Sequence, residues 1–217
     1  MDKTSPILAA LLASGPIRTD GVTYYLHGRK VRSCKTKRGP KKSRTEGEEK
    51  SSNRFTEVRK MWRVYRRATG ELPVWKVWAR ETGAPKSDSL FHSVNGNCFR
   101  PGEGVWAFST FRFSMGTLDA PVITSAERDG WAVTLRWEND VDCPKASASD
   151  QVYLGYFYGT LPRSPQFITC VNARRGDGEI TVEIPSAKQP DGTPLHLYLF
   201  FGNESPNRFS PSEYVEV

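Results

Sequence analysis

From Trp131 onward, apolar residues recur at every second position. Trp131, Val133, Leu135 and Trp137 alternate with Ala132, Thr134 and Arg136. Ile180, Val182 and Ile184 alternate with Thr181 and Glu183, and Leu195, Leu197, Leu199 and Phe201 alternate with His196, Tyr198 and Phe200. A period of two puts one set of side chains on one face of a strand, so each segment predicts a β-strand with a buried face. Gly, Pro and Asn fall between the segments, as turns joining short antiparallel strands require. The stretch from Leu118 to Val217 is long enough for a sandwich of two antiparallel sheets.

Upstream the period changes. Phe55, Val58, Met61, Trp62 and Tyr65 are spaced 3, 3, 1 and 3, which is one face of a helix ending near Gly70. Ser51, Ser52 or Asn53 can serve as its N-cap. Pro73 suits the first turn of a second helix carrying Trp75 and Trp78. Ser87 or Asp88 can cap a third, with Leu90, Phe91 and Val94, which Asn95-Gly96 stops. "VWAFSTFRF", Val105 to Phe113, reads as a strand. Before all of these, "VTYYLHGRKVRSC" reads as a hairpin turning at His27-Gly28. The expected class is therefore α+β, a small basic helical amino-terminal region packed on a carboxy-terminal antiparallel β-sandwich. Its divisions are a basic segment with a hairpin (1–54), a Trp-rich helical region (55–117) and the sandwich (118–217).

The sandwich segment carries a family resemblance. "APVITSAERDGWAVTLRWEND" resembles the opening strands of a fibronectin type III domain, with Pro121 at the early proline and Trp137 at the core tryptophan of the second strand. "LHLYLFFGNESPNRFSPSEYVEV" resembles its last two strands. Asn203 stands where an asparagine often follows the sixth strand, and Ser210 to Ser212 opens the seventh. Leu195 departs from the pattern, standing where the family's corner tyrosine aligns. The layout of the whole chain also resembles that of short proteins of gut-dwelling Gram-negative bacteria, a likeness that brings no activity with it. The type III resemblance implies that "YLGYFY" (Tyr153 to Tyr158) and the His196–Phe200 stretch are neighbours in one sheet. Its outer face then carries Tyr198 and Phe200, which are candidate protein-contact residues unless the Trp-rich helices of the same chain cover them. Covering one such side chain stabilises by about 1.5–3 kcal/mol.

Charge is distributed unevenly. Residues 1–80 hold 20 Lys and Arg against 7 Asp and Glu, a net +13, whereas residues 81–217 carry a net −6. "GRKVRSCKTKRGPKKSR", Gly28 to Arg44, holds nine basic residues and no acid. Such a run cannot bury itself in an apolar core. Arg29, Lys30, Arg32, Lys35, Lys37, Arg38, Lys41, Lys42 and Arg44 are candidate polyanion-binding residues. Arg59, Arg63, Arg66 and Arg67, off the apolar face of the first long helix, would continue the track. The bland alternative is a solvated tail. The partners implied are nucleic acid or an acidic protein surface, with self-assembly or other protein partners as further expectations.

Catalytic motifs are not found. The chain has no phosphate-binding Gly-Lys-Ser/Thr loop, no nucleophile elbow and no HExxH. The cysteines Cys34, Cys98, Cys143 and Cys170 form no CxxC pair, and with three scattered histidines they imply no metal, no cofactor and a reducing compartment, cytoplasmic or within a particle. No apolar run reaches the roughly 20 residues of a transmembrane helix. "PILAALLASG" reads as a short docking helix, with a secretory leader as its rival. "RGD" at Arg175 to Asp177 is a cheap match to an adhesive tripeptide, and the acids Asp140 and Asp142 read as solvated loop residues. The expectation is a non-enzymatic binding or assembly protein. Its alternatives are a structural component of a large particle such as a virion and an extracellular adhesion module.

Overall fold

The structure, a computed structural model, describes residues 6–28, 30–36, 43–138 and 145–217. They group into two units, residues 1–48 and residues 49–217.

In the first unit, α1 (Pro6–Ala13) contacts a three-stranded antiparallel meander of β1 (Ile17–Thr19), β2 (Val22–His27) and β3 (Lys30–Lys35). Leu12 is buried, and Tyr24, Leu26 and Val31 are half-buried on one face of the meander. The β2–β3 hairpin is present as expected, but its turn lies one residue later than His27-Gly28, because His27 is still paired, with Lys30. The β1–β2 hairpin is additional, and its cause is local. Asp20 and Gly21 sit between the paired Thr19 and Val22 with φ of 49° and 73°. Asp-Gly is the pair that best tolerates two positive φ values in a two-residue turn.

The long helix α2 (Glu46–Ala68) starts earlier than Ser51. Thr45 caps it: the Glu48 amide donates to Thr45 Oγ1 (3.3 Å), and the Thr45 amide donates back to the Glu48 carboxylate (3.0 Å). This reciprocal Thr-x-x-Glu box satisfies two otherwise orphaned donors. Glu46, Glu48 and Glu49 then lie in the first turns and Arg66 and Arg67 in the last, each on the favourable end of the helix dipole.

In the second unit, α2 runs on to the short helices α3 (Val74–Thr82) and α4 (Ser87–Asn95). Gly83 ends α3 in the left-handed conformation at φ 68°. "VWAFSTFRF" is not one strand. Only Gly104–Val105 pairs (β5, with β4 at Phe99–Arg100), and a 3-10 turn follows at Phe108–Thr110. Side chains take the place of a partner strand. Asn95 accepts from the Arg112 amide (2.7 Å) and donates to the Arg112 carbonyl (3.1 Å). Ser212 Oγ accepts from the Phe113 amide at 3.0 Å, and the Tyr65 hydroxyl donates to the Phe113 carbonyl at 2.8 Å. The segment can thus be extended and buried without a ladder.

The sandwich follows: β6 (Ile123–Asp129), β7 (Ala132–Trp137), β8 (Gln151–Tyr158), β9 (Gln166–Arg174), β10 (Glu179–Glu183), β11 (Leu195–Gly202) and β12 (Glu213–Glu216). One antiparallel sheet has the order β10-β7-β6 and the other β12-β11-β8-β9. Val133, Leu135, Trp137, Leu195, Leu197, Leu199 and Phe201 meet between the sheets, as their alternation requires. Outward on β7, Thr134 pairs its hydroxyl with that of Thr181 at 2.8 Å. The other face of the larger sheet holds Tyr153, Phe157, Tyr198 and Phe200. It is roofed by Val58, Met61, Tyr65, Trp75 and Phe91 of the helices together with Phe111 and Phe113. This second unit therefore has three layers, helices on sheet on sheet. Every residue of β11 is buried because both faces of that strand are covered.

One glycine marks the close approach. A Cβ on Gly155, mid-strand in β8, would fall 2.4 Å from Phe113 Cδ1, so only a bare backbone admits the ring. The missing corner tyrosine is replaced from the neighbouring strand. Tyr158, directly opposite Leu195, donates its hydroxyl to the Pro185 carbonyl in the β10–β11 connection.

Candidate functional site

The exposed side of α2 is strongly cationic. From Arg54 to Arg67 it holds six Lys and Arg against one acid, Glu57. The apolar stripe of Val58, Met61 and Tyr65 is buried, which fixes the rotation of the helix. Arg59, Arg63 and Arg67, spaced four apart, then follow one another on the solvent side. Among the described residues none of these three forms an ion pair. Lys60 is paired with Glu57 (3.2 Å) and Arg66 with Glu71.

Between α2 and α4 lies a groove of about 360 Å³. Arg59, Arg63 and Lys86 supply its cations, and Phe55 and Trp62 its aromatic surface. Phe55 is 46% exposed. Two groups meet its ring: His92 packs at 4.7 Å between centroids, tilted by 57°, and the Arg59 guanidinium lies 5.7 Å from the ring centre. Burial pushes the His92 pKa below its ordinary 6.5, and the nearby Arg54 charge adds to the shift, so the imidazole is neutral at pH 7. Asp88 stands at the start of α4 and accepts the Ser89 amide at 2.9 Å.

The candidate polyanion-binding residues fall in three places. Arg59, Arg63, Arg66 and Arg67 share α2. Lys30, Arg32 and Lys35 are exposed on β3 of the first unit, where Arg32 lies opposite the exposed Tyr25. Arg44 is exposed just before the Thr45 cap. Arg29, Lys37, Arg38, Lys41 and Lys42 lie outside the described residues, as do Asp140, Asp142 and Cys143. Phe55, Lys86 and His92 join the site without a sequence signal of their own strong enough to select them. Phe55 shares the spacing of the buried stripe, and only its place at the end of that stripe, between Arg54 and Arg59, hints at exposure.

Tyr198 and Phe200 are not free for an external contact. Both have no exposed surface, because the chain's own helices and the Phe108–Phe113 segment cover them. The Tyr198 hydroxyl donates to the Phe108 carbonyl at 2.8 Å, and burial pushes its pKa far up. The Arg-Gly-Asp tripeptide hides its cation. Arg175 is 3% exposed, ion-paired to Asp150 at 3.0 Å and stacked 4.0 Å over Phe201. Cys98 and Cys170 are buried free thiols, and burial pushes Cys170 up to about 12, which makes it a poor nucleophile. Among the described residues no cluster of His, Cys, Asp or Glu is arranged to hold a metal ion, and no helix is long and apolar enough to cross a membrane.

The first, second and fifth strands of the sandwich form one sheet, and the third, fourth, sixth and seventh form the other. The sandwich is fibronectin type III-like. No family model and no curated protein matches the chain. Among solved structures it is similar to the FN1–FN3 domains of chicken CNTN1, at 10% identity and a TM-score of 0.36, over 47% of this chain and 31% of that one. It is also similar to the type III domain of human fibronectin type III domain containing protein 3, at 20% identity and a TM-score of 0.33, over 48% of this chain and 85% of that one. A third is the spore cortex lytic enzyme SleM of Clostridium perfringens, at 15% identity and a TM-score of 0.28, over 46% of this chain and 27% of that one. The type III layer accounts for about half of the chain, and α2 and its groove belong to the remainder.

Proposed function

We propose that this chain is a binding protein that engages a polyanion through the arginine face of α2. One observation carries the reading: Arg59, Arg63 and Arg67 stand exposed on one helix face with no acidic partner among the described residues. Exposed cations without partners repel one another, and condensed counterions or a polyanion relieve that repulsion. The buried stripe beneath them anchors the helix on a rigid sheet, so the charges are held in place rather than carried on a tail. Lys30 and Arg32 on β3, beside Tyr25, add a second basic surface on the other unit. A heparin column tests the reading. The full chain is expected to elute at high salt, and the triple variant Arg59→Gln, Arg63→Gln, Arg67→Gln at clearly lower salt with an unchanged melting temperature. Coincident elution of the two proteins would remove α2 from the interface.

A second reading, a protein contact made by the sandwich, is favoured by β9. It is an edge of the larger sheet, pairing among the described residues only with β8, and from Gln166 to Cys170 it carries no charge and no proline. Open edges of this kind are where another strand can add. Past Cys170 a bulge, held by the Gln151 side-chain amide against the Ala173 carbonyl (3.2 Å), breaks the ladder and limits the contact to those five residues. Thr169→Lys is expected to abolish any association made through this edge without changing polyanion binding.

A further inference from the structure

A site for phosphate charge alone needs no aromatic platform, yet the cationic side of α2 has one. Phe55 leaves nearly half of its surface to solvent inside a groove that also holds the cations Arg59, Arg63 and Lys86. A phenyl ring is costly to leave in water, and here the ring is also oriented, with His92 against it and Arg59 over it. Lowered in pKa by burial, His92 presents a neutral aromatic ring and not a second cation. Arg59, Arg63 and Lys86 surround this ring pair, with Asp88 the single acid of the lining.

Resting on the polyanion reading above, we propose that the groove between α2 and α4 receives an unstacked base of a single-stranded nucleic acid, which stacks on Phe55 in place of the Arg59 guanidinium, while Arg59, so displaced, Arg63 and Lys86 hold the flanking phosphates. Charge decides against a neutral or cationic occupant, because three cations face one acid. The aromatic face decides among anions. A chain of carboxylates such as poly-glutamate would use the cations and has nothing flat to lay on Phe55, whereas every base has a π-face to lay on it. A duplex is excluded by its own stacking, since its base faces are occupied by their neighbours. At about 360 Å³ the groove has room for one nucleotide and not for a helix.

The test uses the full chain and four probes in fluorescence anisotropy at one salt concentration: a labelled oligothymidylate, an abasic phosphodiester strand of the same length, heparin as competitor and poly-glutamate as competitor. Oligothymidylate is expected to bind tighter than the abasic strand by roughly 5- to 150-fold, the range that base–aromatic stacking supplies. Phe55→Leu is expected to erase that difference. Phe55→Trp is expected to keep or increase it. Phe55 lies at the surface, so equal melting temperatures for the variants are a fair check that the fold survives. Equal, tight binding of both strands would overturn the stacking proposal and leave the polyanion reading standing. Failure of oligothymidylate, the abasic strand and heparin alike would overturn both. Poly-glutamate displacing the probe better than heparin would overturn the nucleic-acid assignment in favour of an acidic protein partner.

Discussion

Gly155 is where the extended segment that carries Phe113 packs tightly on β8, and its replacement tests that packing. In Gly155→Ala the new Cβ would lie 2.4 Å from Cδ1 and 2.5 Å from Cε1 of Phe113. Ordinary contact between such carbons is about 3.5–4.0 Å, so the ring must retreat by about an ångström or more. It has nowhere to go. Phe113 is fully buried, with Tyr65 and Tyr198 each 5.3 Å away and Phe111 at 5.8 Å. Overpacking of this sort costs about 1–3 kcal/mol. An overlap at 2.4 Å belongs to the upper part of that range, about 2–3 kcal/mol, and alanine recovers about 0.5–1 kcal/mol relative to glycine in a strand, so the net loss expected is about 1–2.5 kcal/mol. For a unit of this size that is a melting shift of about 2–10 °C, read by circular dichroism or differential scanning fluorimetry. The decisive measurement is the double mutant. Phe113→Leu alone should destabilise by emptying space, but on the Gly155→Ala background it should cost less, with a coupling of at least about 0.5 kcal/mol. Unchanged melting in Gly155→Ala, or strict additivity in the pair, would refute close packing of Phe113 on β8.

Three further outcomes are expected. Asp150→Asn leaves the Arg175 guanidinium buried without its counter-charge, and should lower stability by about 3–5 kcal/mol in urea unfolding; a loss of the size seen for surface pairs would mean that the site is solvated. His196 is stacked on Phe108 at 3.7 Å, and burial pushes its pKa below 6.5, an effect that Glu216 only partly opposes. Its contribution is therefore whole above pH 6.5 and declines as pH falls below that value, where the unfolded chain binds the proton more readily. Urea titrations from about pH 8 to pH 5 should show that decline in the wild type and less of it in His196→Phe. Trp137→Ala empties a core site and removes the indole hydrogen bond to the Arg175 carbonyl (2.9 Å), and should cost about 3–5 kcal/mol. Thr134→Ala on the outer face should cost under about 1 kcal/mol, and equal melting shifts for the two would mean that the strand register is wrong.

What is legible in the chain follows from which interactions leave a periodic trace. The sandwich register is readable because Val133, Leu135 and Trp137, like Leu195 to Phe201, must alternate to reach a core lying on one side. The cover on its outer face is readable as a surplus: Tyr198 and Phe200 are too large and apolar for an open face, and Trp62, Trp75 and Trp78 are too many for so few helical residues to hide among themselves. Features held by one side chain against the backbone leave no such trace. Thr45 and Glu48 cap α2 from within a stretch of Lys, Arg, Gly and Glu that has no apolar period to mark a helix. Asn95 and Ser212 supply the hydrogen bonds that a strand partner would have given to Arg112 and Phe113. The tie on the β10–β11 connection comes from Tyr158 on the third strand instead of the sixth, which no alignment of Leu195 could reveal. Phe55 misleads in the opposite direction. Its spacing is that of the buried stripe, but at that end of the stripe the ring meets His92 of α4 and stays half exposed, as part of a groove.

Polyanion binding by the arginine face of α2 is tested most directly by its salt dependence. The affinity of the full chain for a short labelled single strand would be titrated from roughly 50 to 200 mM salt, and log K plotted against log salt concentration. Replacing Arg59, Arg63 and Arg67 together by Gln should flatten that slope by roughly 2 to 3, about 0.7–0.9 for each phosphate no longer neutralised, with the melting temperature unchanged. A slope that stays the same in the triple variant would contradict the assignment and leave α2 as only the solvated roof of the sandwich.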